Sequence, residues 1–141
     1  MKNVSKIIVR IGILSLLSVM PLAAQIINRV DFTTSFPFYA GNAKMPAGSY
    51  RITQSISDGS ILQIQSNDGA HSALVEIIPT QSVQPQPHSD VTFHKYGDID
   101  YLDQIWIEGQ DYGMEVDPTK AEMKAAANAN VVVHSLSTSL R

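Results

Sequence analysis

Apolar and polar residues alternate along the centre of the chain with the period of two that a pleated strand imposes. Tyr50, Ile52 and Ile56 share one parity, with Arg51, Thr53 and Ser55 on the other. Leu62 and Ile64 face away from Gln63 and Gln65. Ala73, Val75 and Ile77 form a third row, and Leu74 and Ile78 make that segment apolar on both faces. Turn residues separate the rows: Gly48 within 46–49, then Asp58-Gly59 and Asp68-Gly69, the glycines falling at spacings of 11 and 10. Asp-Gly pairs supply the positive φ of tight hairpin turns. The pattern predicts a meander of three antiparallel strands over 49–57, 60–66 and 71–79.

The flanks extend this picture. Segment 26–39 reads as one extended strand with Val30, Phe32, Phe36 and Phe38 as its apolar positions, and Pro37, which lacks an N–H, belongs at an edge or a bend. Segment 81–88 holds two prolines among polar residues and reads as a surface loop of polyproline type. Two further strands are expected over 90–96 and 101–107, and a short one over 111–116. A helix should start near Asp117. Pro118 suits a first helical position, while Thr119 with Glu122 matches a capping box two residues later; the sequence leaves both starts open. Asn128 and Asn130 end the helix, and Val131-Val132-Val133 favours a final strand to about Leu136. The fold class is therefore all-β, an antiparallel sandwich or small barrel with one short α-helix near the C-terminus.

Residues 1–24 read as a secretory signal peptide. Lys2, Lys6 and Arg10 precede an apolar run from Ile11 to Leu22, and Ala23-Ala24 closes it. The run is shorter than the roughly 20 apolar residues of a membrane span. A single β-rich domain over 25–141 is then expected, secreted to the periplasm or the cell exterior, with no membrane span after cleavage. The leader holds three of the ten Lys and Arg and none of the thirteen Asp and Glu, leaving seven basic residues against thirteen acidic ones. That balance argues against nucleic acid as a partner. The chain has no Cys, so disulfides, thiol nucleophiles and Cys-based zinc sites are excluded, and the core alone must hold the domain.

Several segments are familiar in combination: Phe36-Pro37-Phe38-Tyr39-Ala40-Gly41-Asn42 with Met45-Pro46-Ala47-Gly48-Ser49-Tyr50-Arg51-Ile52, then Phe93-His94-Lys95-Tyr96-Gly97-Asp98, then Gln104-Ile105-Trp106 and Lys120-Ala121-Glu122. The set resembles small secreted β-domain proteins of acidobacterial type, a group of unknown function. The resemblance implies a secreted bacterial β-domain and brings no activity and no site residue with it.

Chemistry is sparse at this level. The four histidines, His71, His88, His94 and His134, form no close metal motif. His88 and His94 would need a third ligand such as Asp90 or Asp98. The group Asp98, Asp100 and Asp103 lacks the Gly and terminal Glu of a calcium loop, and these carboxylates read as solvated. No G-x-S-x-G elbow and no phosphate loop occur. Asp103 and Glu115 are an available carboxylate pair, and His94 with nearby carboxylates is the hydrolase alternative. Trp106, the only Trp, is expected in the core. The leading expectation is a non-catalytic structural, adhesion or envelope-assembly protein without cofactor or metal. Its end segments 25–34 and 130–139 would complete its own sheet or add a strand to a second copy or to another envelope protein. The alternative is a small-ligand carrier whose sheet encloses an apolar pocket, with Tyr101, Trp106 and Tyr112 as ligand or interface contacts.

Overall fold

A computed structural model describes residues 29–55 and 57–140. The expected signal segment, the start of the first expected strand and Ile56 lie outside the described residues. In chain order the elements are β1 (Val30–Thr34), β2 (Phe38–Ala40), β3 (Ala43–Met45), β4 (Gly48–Gln54), β5 (Ile61–Ser66), β6 (Ser72–Gln81), β7 (Asp90–Tyr96), β8 (Ile99–Trp106), β9 (Tyr112–Val116), α1 (Lys120–Asn128), β10 (Val131–Ser137) and β11 (Ser139–Leu140). The domain is all-β and mostly antiparallel, with one short helix near its C-terminus.

The meander β4-β5-β6 forms where alternation places it. Ile52 lies opposite Ile64, and Leu62 opposite Val75. These inward residues are buried, while Leu74 on the other parity is 70% exposed. At the β5–β6 turn Gly69 takes a φ of +74°, and Asp68 Oδ1 accepts hydrogen bonds from the Ser66 hydroxyl and the Ala70 N–H. The turn at Asp58-Gly59 works differently from expectation. Gly59 lies outside the left-handed region, and Asp58 Oδ1 holds the turn by accepting from the Ser60 N–H and hydroxyl at 2.9 and 2.6 Å.

The expected single strand over 26–39 is two strands. The Thr34 hydroxyl accepts from the Phe36 N–H and donates to the Phe36 carbonyl, which bends the chain at Ser35–Pro37. β1 pairs with β4, and β2 pairs parallel with β8. β2 also forms a hairpin with β3, a strand the alternation did not reveal.

β6 belongs to two sheets. Its first half pairs with β5, and its second half, from Ile77, pairs with β9. The second sheet continues through β8 and β7 to β10. β10 and β11 are separated only by Thr138, and β11 pairs back onto β1. The path of strands thus returns to its start, in the manner of a small barrel. Expected strands over 90–96, 101–107, 111–116 and 131–136 all appear, with ends shifted by a residue or two. The helix follows the capping-box alternative: Thr119 is the N-cap, and its hydroxyl accepts from the Glu122 N–H at 3.2 Å. Among the described residues no helix is long and apolar enough to cross a membrane.

The inside is aromatic. Phe38 meets Tyr50 and Phe93 edge-on at centroid distances of 5.1 and 5.2 Å. Phe32 stacks on Tyr50 at 5.5 Å. Phe36 closes on Phe93 at 5.3 Å. Such pairs contribute beyond their buried area. Phe38 is 1% exposed and touches both sheets through these rings, so Phe38→Ala should cost about 3–5 kcal/mol. Urea denaturation followed by circular dichroism measures this; a loss below about 1 kcal/mol would mean the site collapses around the missing ring.

Candidate functional site

The outer face of β7, β8 and β9 carries the polar chemistry, and a β-bulge puts it there. Phe93 pairs with Leu102 while Thr92 pairs with Gln104, so Asp103 is an extra residue with no partner on β7. Leu102 and Ile105 both face the core; the bulge turns Asp103 and Gln104 outward together. Bulges re-aim side chains in this way, often at functional sites.

Asp103 therefore stands beside the outward residues of β7. His94 Nε2 lies 3.1 Å from Asp103 Oδ2, and the Thr92 hydroxyl donates to the same oxygen at 3.3 Å. The Tyr96 hydroxyl lies 3.3 Å from His94 Nδ1. Tyr101 is opposite His94 in register and stacks on Tyr39 at 5.4 Å. From above, α1 lowers Glu122 toward the same imidazole, with Oε1 3.9 Å from Nδ1. Only Glu122 among the helix residues is buried. The residues enclose a cleft of about 190 Å³ lined by His94, Tyr96, Asp103, Glu115, Glu122 and Met123.

Two carboxyls thus face one imidazole, with Glu115 on the same cleft wall, and the electrostatics follow. Burial, then the charges of Asp103 and Glu115, push the Glu122 carboxyl up to about 7. Burial and the Glu115 charge raise Asp103 as well, against the opposing pull of His94 and Thr92. Burial and the Glu122 charge raise the Tyr96 and Tyr101 hydroxyls. Chemically, the cleft stores a proton near neutral pH and presents an excess of negative charge once that proton leaves.

A second chain of hydrogen bonds reaches the cleft from the side. Trp106 Nε1 donates to Gln104 Oε1 at 3.0 Å, and Gln104 Nε2 donates to Glu115 Oε2 at 3.2 Å. Trp106 is not in the core as expected: it lies half-buried on the outer face, flat across Gly113, where a Cβ would stand 2.6 Å from the indole. The pleat sends Trp106 outward with Gln104, and the missing side chain at Gly113 makes its bed.

The expected contact residues are dispersed. Tyr101 is buried opposite His94, outside the cleft wall, Trp106 connects to the cleft through Gln104, and Tyr112 is 44% exposed at the other end of β9, opposite Gln81. All three lie apart from the core cluster. The carboxylates Asp98, Asp100 and Asp103 separate as well. Asp98 is exposed, while Asp100 and Asp103 are buried rather than solvated. Asp100 turns inward to His134 Nδ1 at 3.2 Å, and Asp103 turns outward to His94. His88 is exposed in the loop before β7. Among the described residues no three His, Asp or Glu groups converge to hold a metal ion.

Sequence reasoning brought His94, Asp103 and Glu115 forward as alternatives and missed Glu122 and Tyr96. Glu122 passed as half of a capping box, yet its carboxyl turns to the sheet. One signal for the bulge was available: Leu102 and Ile105 are three apart, which a regular strand cannot bury on one face.

Comparisons with models of known protein families, with curated proteins and with solved structures give no match.

Two outcomes follow from this geometry. An acid whose folded-state value is raised binds its proton more tightly folded than unfolded, so its cost is absent below the ordinary value of 4.5, grows toward about 7 and is constant beyond. Glu122→Gln should therefore stabilise the protein by about 1–2 kcal/mol at pH 8, less than the full linkage because water reaches the cleft, and by almost nothing at pH 4. Paired denaturation curves at the two pH values test this. Gly113→Ala must displace the indole, so Trp106 emission should shift to the red with a stability loss of about 1–3 kcal/mol.

Proposed function

We propose that this is an exported, non-catalytic binding domain that takes a small organic cation into the cleft beneath α1. The observation that carries the reading is the placing of Asp103 and Glu122 beside the His94 imidazole, with Glu115 on the wall of the same cleft and the Tyr96 ring at its border. A protonated amine or guanidinium would offset that charge through hydrogen bonds to the carboxylates. The ring of Tyr96, with Val116 and Pro118, suits the apolar and π-facing sides of such a group. The volume of about 190 Å³ restricts the ligand to a small molecule. Export is supported by the leader-like segment 1–24 and by the resemblance to secreted β-domain proteins.

Titration with methylguanidine, 1,4-diaminobutane and choline, followed by Trp106 emission and by the His94 and Tyr96 resonances, tests the reading. At least one probe should saturate and lose about tenfold or more in affinity in Asp103→Asn. No saturable response to any of the three would overturn it.

A second reading, envelope assembly by strand addition, has one observation in its favour. Val131, Val132 and Val133 on β10 are exposed by 50, 53 and 58%, and exposed apolar strands invite pairing. Against it, β1 is already paired on both sides, with β4 and β11; β10 has a ladder partner on one side, β7. A concentration-dependent rise in mass by light scattering, abolished in Val132→Lys, would favour assembly.

A further inference from the structure

The manner in which α1 is attached is unusual. A helix normally docks through an apolar stripe. Here Met123 is 53% exposed, and the one buried helix residue is the acid Glu122. The cleft of about 190 Å³ lies between the helix and the strands. Both ends leave the helix in extended conformation: Thr119 has φ −74° and ψ 163°, and Ala129 has φ −145° and ψ 153°. The helix thus roofs the cleft, with Met123 and Ala126 on its wall and Glu122 as the one fully buried helix side chain.

We propose that α1 is a lid that closes over the cleft when Glu122 holds its proton and opens when Glu122 releases it.

The groups facing Glu122 set the direction. From β7 come His94 and Tyr96, from β8 Asp103 and Tyr101, and from β9 Glu115. On the helix itself Lys120 and Lys124 are exposed. Protonated, Glu122 sits in the cleft as a neutral group. Ionised, it faces Asp103 and Glu115 in a partly dehydrated space. Undocking relieves that repulsion by returning the carboxylate to water. The rise of the Glu122 value to about 7 has the same origin and puts the transition between mildly acidic and neutral pH. An undocked helix of nine residues does not persist, because helices so short are marginal in water. Opening thus exposes both the cleft and the helix amides.

Amide hydrogen exchange on the full chain, corrected for intrinsic rates and measured at pH 5.0 and 7.5 without added amines, reads this directly. Protection over residues 120–128 should fall at least about tenfold between the two conditions, while β4 and β5 stay protected. Glu122→Gln should hold the helix protected at both pH values. Glu115→Gln should shrink the fall, because one of the repelling charges is gone. Equal protection of α1 at both pH values would overturn the proposal. So would a loss shared by β4 and β5, or an undiminished fall in both variants. No ligand enters this measurement, so its outcome is separate from that of the cation titration.

Discussion

The packing of Phe93 against Phe32, Phe36 and Phe38 is the constraint on which the outer face depends. A strand cannot slip by one residue without exchanging its two faces. With Phe93 held inside by three rings, His94 is held outside, and so are Thr92 and Tyr96. The partner strand faces the same demand from Leu102 and Ile105, which share a face only if one residue between them is extra. The bulge is that extra residue. The position of Asp103 beside His94 is thus a consequence of apolar packing on the opposite face of the sheet.

The cost of this arrangement falls on α1. Core formation leaves the helix little apolar surface to cover, Val116 and Pro118 with the Tyr96 ring, because the rest of the face beneath it is committed to His94, Asp103 and Glu115. A helix of Lys, Ala, Glu and Asn with one Met has little to bury in return. Local and tertiary preferences agree across the strands and disagree at this one junction, which is the kind of place where binding sites are found. Asp100 and His134 give the contrasting case. There one carboxylate meets one imidazole at 3.2 Å beside the edge of Phe36, without the crowding of further acids.

Most of the strand framework was legible because its signal is local. Tyr50 with Ile52, and Leu62 with Ile64, report their own face by alternation alone. The helix start was legible to within two residues, and Thr119 with Glu122 decided it. What escaped depends on relations that alternation does not encode. β2 and β3 are three residues each, too short to display a period. Trp106 was misplaced because size favours burial in general, whereas its parity with Gln104 and the space at Gly113 send it outward. Glu122 escaped for a different reason: a glutamate at the third helical position is ordinary for capping, and nothing in the helix sequence announces the acids that the sheet places beneath it. The single helix and the all-β class were both readable; the meeting of His94, Asp103, Glu115 and Glu122 needed three dimensions.

The return of β11 onto β1 carries a kinetic consequence. Val30 faces Leu140 in that ladder, the most distant partnership in sequence that the sheet contains. Hairpins such as β4–β5 and β7–β8 close short loops and can form early. The β1–β11 seam must first meet the entropy of a loop almost as long as the described chain before any contact rewards it. The seam is the slow step of assembly on this argument. Until it forms, β1 offers an unsatisfied ladder to whatever chain is nearby.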